Sequence, residues 1–467
     1  MGLTTDHHTW NANYFGSARS SPTPRNDARG ALMKETRAAF SLLFFIIAAH
    51  IAYLLPQATT KQELSESYSI TTCPGPVNGA SATALIPSRQ VGVRELTRRN
   101  AEFTKPVGGN ISLARGAIVV AGNPSNSWTI QTKASKWTSA ITCASGATTS
   151  WFVGGTANVT SQGKIVLVNS GLSDAVATLT TFSEAGPSEP INVTVKALTE
   201  REIRIDSLQP GADRIVVKVN VVNGRLTSFM TDERVKGLNN IGGDYTSPIV
   251  APSKELRIVG LPSNFGSTSK VAHTLRVMST EDVDANLSVE VVSREGVFVP
   301  VSLGSISVNA GEVVDVPLTE VDLGKGFFGL NVVGNSPIVA GVFTEVVRGS
   351  LSDFMWNSAA PRLENVSFNI YGLEPQITFM GEQIRVSIQW RDRTGKSKRA
   401  TLTGQEIVNW KVPANARLIT ITSRTDVSAG MSWITNDGVA HLPISTSATL
   451  ESAARPRADI AVIQPRS

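Results

Sequence analysis

Short runs of alternating apolar and polar residues fill the chain from residue 110 onward, and turn residues separate them. In RIVVKVNVVNG (214–224), valines alternate with Lys218 and Asn220, which is the period-two pattern of a strand with one buried and one wet face. No sustained i, i+3, i+4, i+7 apolar stripe follows the N-terminal region, so the pattern predicts an all-β fold. Further runs rich in Val, Ile and Thr are KIVLVNSG (164–171), INVTVKAL (191–198) and EIRIDSL (202–208).

The order of these strands repeats along the chain. AVATLTTFSEAG (175–186) matches ANLSVEVVSREG (285–296) and, more loosely, IRVSIQWRDRTG (384–395). We expect each copy to close with a hairpin, for which Asn223-Gly224 is the strongest short signal. A repeat of roughly 100 residues with six or seven strands has the size of an Ig-like β-sandwich, whereas a propeller blade has only about 40–50 residues. The sequence therefore predicts tandem Ig-like sandwiches arranged as a rod.

One apolar segment precedes the strands. Residues 38–55, AAFSLLFFIIAAHIAYLL, contain no charged side chain and would span about 27 Å as a helix, close to a bilayer's hydrocarbon core. The Lys/Arg excess lies before the segment, so residues 1–37 are expected to stay cytoplasmic. The run is longer than the apolar core of a usual signal peptide, which favours an uncleaved signal-anchor over a cleaved signal.

These signals divide the chain into six predicted parts, in which the bulk of the protein is extracytoplasmic. They are a cytoplasmic tail (1–37), a transmembrane signal-anchor (38–55), an exported β-rich segment with both cysteines (56–150), and three sandwich repeats (151–246, 247–356 and 357–467).

The two cysteines, Cys73 and Cys143, both fall in the part predicted to be exported. An even count in an oxidising compartment favours a disulfide between them. The alternative is a thiol nucleophile, which would need a base, and the only exported histidines are His273 and His441. We predict the disulfide.

Composition and motifs narrow the function classes. The net charge of +5 on 467 residues is mild and no dense basic block occurs, which disfavours a nucleic-acid binder. The sequence has no HExxH, GxSxG or phosphate-binding loop, and it predicts no catalytic residue, metal ligand or cofactor site. We therefore expect a protein that is not an enzyme.

Aromatic side chains are the remaining candidates for contact with a ligand. Trp128 and Trp137 lie in segments rich in Ser, Thr and Lys, and we predict that both are on the surface, where they could stack on sugars. Trp356 lies at a predicted domain joint, where it is a third possible surface-binding residue and a candidate for an interface.

Several motifs together resemble an actinobacterial family. They are Cys73-Pro74-Gly75-Pro76, the Cys143 that shortly precedes Trp151-Phe152-Val153-Gly154-Gly155, KIVLVNSG, and a predicted hairpin at Pro337-Ile338-Val339-Ala340-Gly341. The chain resembles the "large secreted protein" family, a domain of unknown function, over about residues 70–465. The resemblance implies an exported envelope protein without an assigned activity, and an association with envelope polysaccharide. In that family the strand after the first Gly-Gly usually ends in Asn-Pro, whereas here KIVLVNSG has Asn169-Ser170 at that point.

We therefore expect a membrane-anchored envelope protein that binds or scaffolds, with a cell-wall polysaccharide or an envelope membrane protein as partner and the lipid bilayer contacted through 38–55. Two alternatives stay open at this point. One is a protein-interaction module for another membrane protein. The other is a carbohydrate-active enzyme on a β-sandwich, which would need two opposed carboxylates in one cleft.

Overall fold

The computed structural model describes residues 70–445 except 78, 88–90, 98–102, 105–108, 122–125, 265–268 and 319–325, together with 65–68, 450–453 and five positions between 43 and 50. The described chain is all-β, which confirms that prediction, and it has two short 3₁₀ turns at Ile205–Ser207 and Val301–Leu303. Every strand lies in one compact unit, Ser65–Ser467.

The predicted membrane segment falls mostly outside the described residues, and the predicted tail at 1–37 falls outside them entirely. Five positions of the segment are helical and exposed, namely Leu43, Phe44, Ile46, Ile47 and His50. In the part of the chain that the structure describes, no helix has the length and apolar character needed to span a membrane.

The region predicted as an N-terminal β-rich segment forms a sandwich-like repeat, called here the first repeat (70–144). Its strands, with β1 before them, are β1 Ser65–Tyr68, β2 Ile70–Cys73, β3 Ser81–Leu85, β4 Gly92–Glu95, β5 Asn110–Leu113, β6 Ile118–Ala121, β7 Trp128–Lys133 and β8 Trp137–Thr142. One sheet has the order β4-β6-β2 and the other has the order β5-β3-β7-β8.

The second repeat (149–249) has two sheets, of orders β14-β10-β16-β17 and β12-β11-β15-β9, and β13 also pairs with β11. Its strands are β9 Thr149–Val153, β10 Lys164–Asn169, β11 Ala175–Ser183, β12 Gly186–Pro187, β13 Ile191–Val195, β14 Glu200–Arg204, β15 Val216–Asn223, β16 Leu226–Lys236 and β17 Asn239–Thr246.

The third repeat (253–358) is built around one strand of 22 residues, β24. Its strands are β18 Ser253–Pro262, β19 Ser269–Ser279, β20 Ala285–Ser293, β21 Gly296–Phe298, β22 Ile306–Val308, β23 Val313–Pro317, β24 Phe327–Arg348 and β25 Leu351–Ser358. The first half of β24 pairs with β18 and β20, and its second half pairs with β19 and β25.

The fourth repeat (366–443) is built around the long hairpin of β27 and β28. Its strands, with the final β32 after them, are β26 Val366–Asn369, β27 Gln376–Asp392, β28 Ser397–Lys411, β29 Ala416–Ser423, β30 Ser428–Ile434, β31 Val439–Pro443 and β32 Leu450–Ala453. β29 and β30 pair with opposite halves of β27, and β32 pairs with β1, which brings the two ends of the described unit together.

All four repeats share one pairing scheme. In the second repeat, β15 lies between β9 and β11 in one sheet, and β16 lies between β10 and β17 in the other. The same two central places are occupied by β6 and β7 in the first repeat, by the two halves of β24 in the third, and by β29 and β30 in the fourth. The chain therefore contains four copies, one more than the strand-matching of the sequence finds.

The predicted closing hairpins are wrong in all three copies where they were expected. Asn223-Gly224 connects β15 and β16, which belong to different sheets and do not pair with each other. Pro337 lies inside the single strand β24, and β29 pairs with β27 rather than with β30. The turn signal is real, because Gly224 has a φ of 85°, but the chain uses it to cross from one layer of the sandwich to the other.

The repeats contact one another in a closed cycle through their last strands, so the predicted rod is wrong. Ser139 on β8 donates to Asp244 on β17 at 2.6 Å, and the Trp356 N–H on β25 donates to Asp244 at 2.7 Å. Val439 on β31 donates to Asp353 on β25 at 2.9 Å. Gly438, beside β31, packs against the backbone of Thr138 on β8 and closes the cycle.

Candidate functional site

One buried carboxylate, Asp353, lies where the four last strands meet. Asp353 of the third repeat accepts backbone N–H bonds from Gly243 at 3.1 Å, Val439 at 2.9 Å and Thr138 at 3.3 Å, one from each of the other repeats. Burial raises the pKa of Asp353 above its ordinary value, and the backbone donors oppose that rise. Since the donors fill its acceptor positions, this carboxylate joins the repeats and is closed to a ligand.

A second buried carboxylate, Asp244, supports the same junction. Ser139 donates its hydroxyl to one oxygen and accepts the N–H of Tyr245, and Trp356 donates its backbone N–H to the other oxygen. Burial raises the pKa of Asp244, and the nearby charge of Asp353 adds to that rise. Both carboxylates therefore act in holding β8, β17 and β25 together.

The three tryptophans predicted as surface contacts are all buried, with exposed fractions of 1% for Trp128, 2% for Trp137 and 1% for Trp356. The surface prediction is therefore wrong for all three. Trp128 donates its indole N–H to Asn369 O at 2.9 Å and packs edge-on against Trp433, so it joins the first repeat to the fourth. Of the polar residues near it in sequence, Gln131 donates to the Tyr245 hydroxyl of the second repeat, and Thr129 packs against Cys143 of its own repeat, so neither faces water.

Trp137 and Trp356 also lie at joints between repeats. The indole N–H of Trp137 donates to Glu233 at 3.2 Å, from the first repeat to the second. The indole N–H of Trp356 donates to Asp232 at 2.9 Å, from the third repeat to the second. Trp356 is thus at a joint, as its position in the sequence indicates, but the joint lies inside the chain.

The predicted disulfide between Cys73 and Cys143 is confirmed. It joins the first strand of the first repeat to the residue after its last strand. Beside it, Thr72 and Ala144 exchange two backbone hydrogen bonds of 2.8 and 3.0 Å. In the small first repeat the bond therefore closes the sandwich at both ends of its chain.

A cleft of about 350 Å³ opens between the first and second repeats. Its floor is one face of the sheet β14-β10-β16-β17. Further along this face, Val168 and Phe229 are buried against Leu96 and Val119 of the first repeat. Where the two repeats diverge, the same face lines the cleft. Lys164, Glu200, Glu202 and Arg204 are partly or largely exposed there, and Val166, Thr231, Glu233 and Tyr245 are buried at its base.

The wall of the cleft comes from the first repeat and includes Pro74, Gly75 and Pro76, which directly follow the disulfide. Gly75 is required there, since a Cβ would lie 2.5 Å from the backbone of Gly116. Its carbonyl accepts the side-chain N–H of Gln131 at 2.9 Å. The Cys-Pro-Gly-Pro motif therefore shapes one side of the cleft.

The other motif of the resemblance lies at the next joint. Arg276 of the third repeat donates to the Gly155 carbonyl of Trp-Phe-Val-Gly-Gly at 2.5 Å, and a bidentate ion pair with Asp315 holds its guanidinium in place. A Cβ at Gly154 would lie 3.0 Å from the ring of Trp356. This motif therefore serves the packing of the second repeat on the third.

Two ion pairs cross the cleft region. Lys133 pairs with Glu233 at 2.5 Å, from the wall to the floor, and Trp137 also donates to this carboxylate. Lys164 pairs with Glu202 at 2.5 Å across neighbouring strands of the floor. Both carboxylates are therefore neutralised by a lysine within the protein.

The remaining charged groups of the cleft are Arg204 and Glu200. Arg204 pairs with Asp206 at 2.6 Å, and this hydrogen bond holds the pKa of Asp206 below its ordinary value. The carboxylate of Glu200 lies against Gly116 and accepts the backbone N–H of Ala117. Burial against this loop raises the pKa of Glu200, and the charge of Glu202 raises it further.

The histidines weighed as possible bases lie away from this cleft. His273 is buried, with its ring nitrogens 2.9 Å from Pro262 O and 3.0 Å from the Thr344 hydroxyl. His441 is also buried, and its Nδ1 lies 2.9 Å from the Ser432 hydroxyl oxygen. Burial lowers the pKa of His273 to about 4 and that of His441 to about 3. In the described residues no group of three or more metal-ligating side chains occurs.

Sequence reasoning did not find the cleft. One signal was present: Glu200, Glu202 and Arg204 alternate on a strand, and Lys164 begins KIVLVN. The alternation marks a polar face, but only the pairing of β10 with β14 and the packing of the first repeat turn that face into a cleft.

Comparisons with known proteins give a family and two weak structural likenesses. The profile of a family of unknown function (DUF5719) matches residues 112–405. The crystal structure of Thermotoga maritima 1070 is similar at 12% identity, covering 23% of this chain and 93% of that chain, with a TM-score of 0.20. Streptomyces avermitilis alpha-L-rhamnosidase complexed with L-rhamnose is similar at 8% identity, covering 78% of this chain and 57% of that chain, with a TM-score of 0.14. No curated protein sequence matches the chain.

Proposed function

The chain belongs to the family of unknown function DUF5719, and from this premise we propose that it is an extracytoplasmic binding protein whose ligand is a saccharide held in the cleft between the first and second repeats. One observation carries the proposal: the cleft between the first and second repeats is lined by ionic groups, most of them fixed in pairs. Fixed donors and acceptors suit a hydroxyl-rich ligand, which needs many oriented hydrogen bonds. Under this proposal the protein binds its saccharide ligand and does not catalyse a reaction on it.

The location in the envelope is a further part of this proposal. The apolar segment at 38–55 with its preceding basic flank supports a membrane anchor that leaves the bulk of the chain outside. The Cys73–Cys143 disulfide fits an oxidising compartment. The resemblance to actinobacterial large secreted proteins supports a polysaccharide of the cell envelope as ligand. We also propose that each repeat is an Ig-like sandwich, in view of its antiparallel strand layers, which are two separate sheets in the first and second repeats and parts of one sheet in the third and fourth.

Saccharide binding in the cleft is tested with two matched lysine variants on an array of neutral, amino and acidic oligosaccharides. Lys164→Ala removes the cleft's pair with Glu202, and Lys196→Ala removes a similar 2.7 Å pair with Asp174 on the exposed side of the same repeat. We expect the wild type and Lys196→Ala to retain the same oligosaccharides, and Lys164→Ala to lose at least tenfold in affinity, as expected for about 1.4 kcal/mol. Equal losses in both variants, or no retention by the wild type, would contradict the proposal.

A second function is favoured by one separate observation. Val297, Phe298, Val299 and Val301 form an exposed apolar stretch, where the corresponding turn of the second repeat, at 186–190, is GPSEP. Exposed apolar stretches of this kind mark protein contacts. This stretch supports the alternative of an interaction module for another membrane protein.

The two functions separate in a cross-linking experiment on membranes. A Phe298→Ser variant that loses a discrete cross-linked partner while keeping oligosaccharide binding assigns the partner to the apolar stretch. Oligosaccharide binding without any cross-linked membrane protein leaves the cleft as the functional site.

A further inference from the structure

The cleft contains one carboxylate that the protein leaves without a cation. Of the three glutamates on its floor, Glu233 and Glu202 pair with lysines at 2.5 Å. In the described part of the chain Glu200 has no such pair, and its hydrogen-bond donor is the backbone N–H of Ala117. The cations of the cleft are already engaged, so the charge left for a ligand to meet is negative.

The position of Glu200 makes it available to a ligand. Glu200 and Glu202 lie on the same face of β14, because they are two residues apart in a strand. Glu200 is at the outer end of that strand, where the residue is exposed although its carboxylate is partly covered by Gly116 of the opposite wall. A group bound between the two repeats would therefore come close to its carboxylate.

Charge decides which ligand this carboxylate accepts. An ammonium group would give a charge-assisted hydrogen bond, which is about twice as strong as one between neutral groups. A carboxylated or phosphorylated sugar would instead bring like charge beside Glu200, with the nearby lysines already paired. A neutral sugar would give hydrogen bonds but no compensation of the charge.

We propose that Glu200 selects an amino sugar with a free, protonated amine, so that the cleft binds a saccharide segment that is cationic rather than acidic or fully N-acetylated. This inference rests on the proposed saccharide function of the same cleft. Glu200 acts as the specificity residue, and the paired groups Lys164 and Glu202 bind the hydroxyl groups around it.

The test uses two tetramers that differ only at nitrogen, a β-1,4-linked glucosamine tetramer and its fully N-acetylated counterpart. Binding to the full chain is measured by isothermal titration at a pH where the free amines are protonated. Glu200→Gln keeps the shape of the side chain and removes its charge. Glu189→Gln, on an exposed loop of the same repeat, is the matched control.

We expect the wild type and Glu189→Gln to bind the glucosamine tetramer about tenfold more tightly than the acetylated one, and Glu200→Gln to lose that preference. Raising the ionic strength should weaken the wild type's binding to the free amine. Equal affinity of the wild type for both tetramers, or an unchanged preference in Glu200→Gln, overturns the inference.

The failure of the proposed function gives a different result. If the acetylated tetramer or a neutral oligosaccharide binds in a Lys164-dependent way without an amine preference, the saccharide function stands and the role of Glu200 falls. If no oligosaccharide binds to the wild type, the saccharide function itself fails, and this inference fails with it.

Discussion

Asp353 offers the sharpest test of how the four repeats are held together. Replacing it with alanine leaves three buried N–H groups, on Gly243, Val439 and Thr138, without their acceptor. A buried donor left unpaired costs about 1–3 kcal/mol. Two bonds of normal length and one longer bond, at 3.3 Å, therefore predict a loss of about 4 kcal/mol in the free energy of unfolding. Asp353→Asn should also destabilise, because its amide turns N–H donors toward N–H donors.

The assay is equilibrium unfolding of the full chain in guanidinium chloride, followed by tryptophan fluorescence. Fluorescence suits the purpose because Trp128, Trp137 and Trp356 each lie at a different joint. The matched control is Asp437→Ala. Asp437 also accepts a backbone N–H from the first repeat, that of Ser135 at 2.7 Å, but the bond is exposed to water.

We expect the control to lose less than about 1 kcal/mol, since water can replace an exposed acceptor. The wild-type transition should be single, and in Asp353→Ala the loss should be shared by all three joints. A loss below about 1 kcal/mol in Asp353→Ala, or a loss equal to that of the control, would refute the reasoning.

Three further outcomes follow from the structure. Reducing the Cys73–Cys143 bond should lower the free energy of unfolding by about 2–4 kcal/mol, measured by denaturation with and without reductant. Burial lowers the pKa of His273 to about 4, whereas in the unfolded chain it is about 6.5. Between these two values the unfolded chain binds a proton that the folded chain does not. The free energy of unfolding therefore falls by about 1.4 kcal/mol for each pH unit from pH 6.5 down to pH 4 and is unaffected by this group above pH 6.5. In a pH series of melts, His273→Gln should reduce the measured slope by that amount and leave the share of His441, and an unchanged slope would contradict the assignment. Gly75→Ala should destabilise by at least about 1 kcal/mol and distort the cleft wall, because its Cβ would meet the Gly116 backbone; a variant with wild-type stability would contradict the close packing.

The local parts of the fold were predictable from the sequence. The strand at Val216–Asn223 alternates as expected, with Val217 and Val219 buried and Lys218 partly exposed. The Cys73–Cys143 bond followed from an even count of cysteines and the predicted compartment. In both cases the signal is carried by a few neighbouring residues or by composition.

The long-range parts were not predictable in the same way. KIVLVN is apolar on both faces because Ile165 and Leu167 face their own sandwich while Val166 and Val168 face the first repeat. A sequence pattern shows that a face is covered, but it does not show by what.

Trp128 and Trp137 also show that local sequence does not reveal burial by another repeat. Their neighbours are polar, and a polar segment is ordinarily exposed. Here Gln131 and Ser139 are buried because the second repeat supplies hydrogen-bond partners, and Thr129 is buried against Cys143 of its own repeat. The cleft escaped prediction for this reason as well, since its two walls come from different repeats.

The central claim, that the ligand lies between the first and second repeats, is tested most directly by hydrogen–deuterium exchange of the full chain with and without the tightest-binding oligosaccharide of the array. The account predicts slower exchange at 74–77, 164–169 and 200–204, with no change at 296–301. Binding that protects other segments, or that leaves the cleft strands at their free rate, would contradict it.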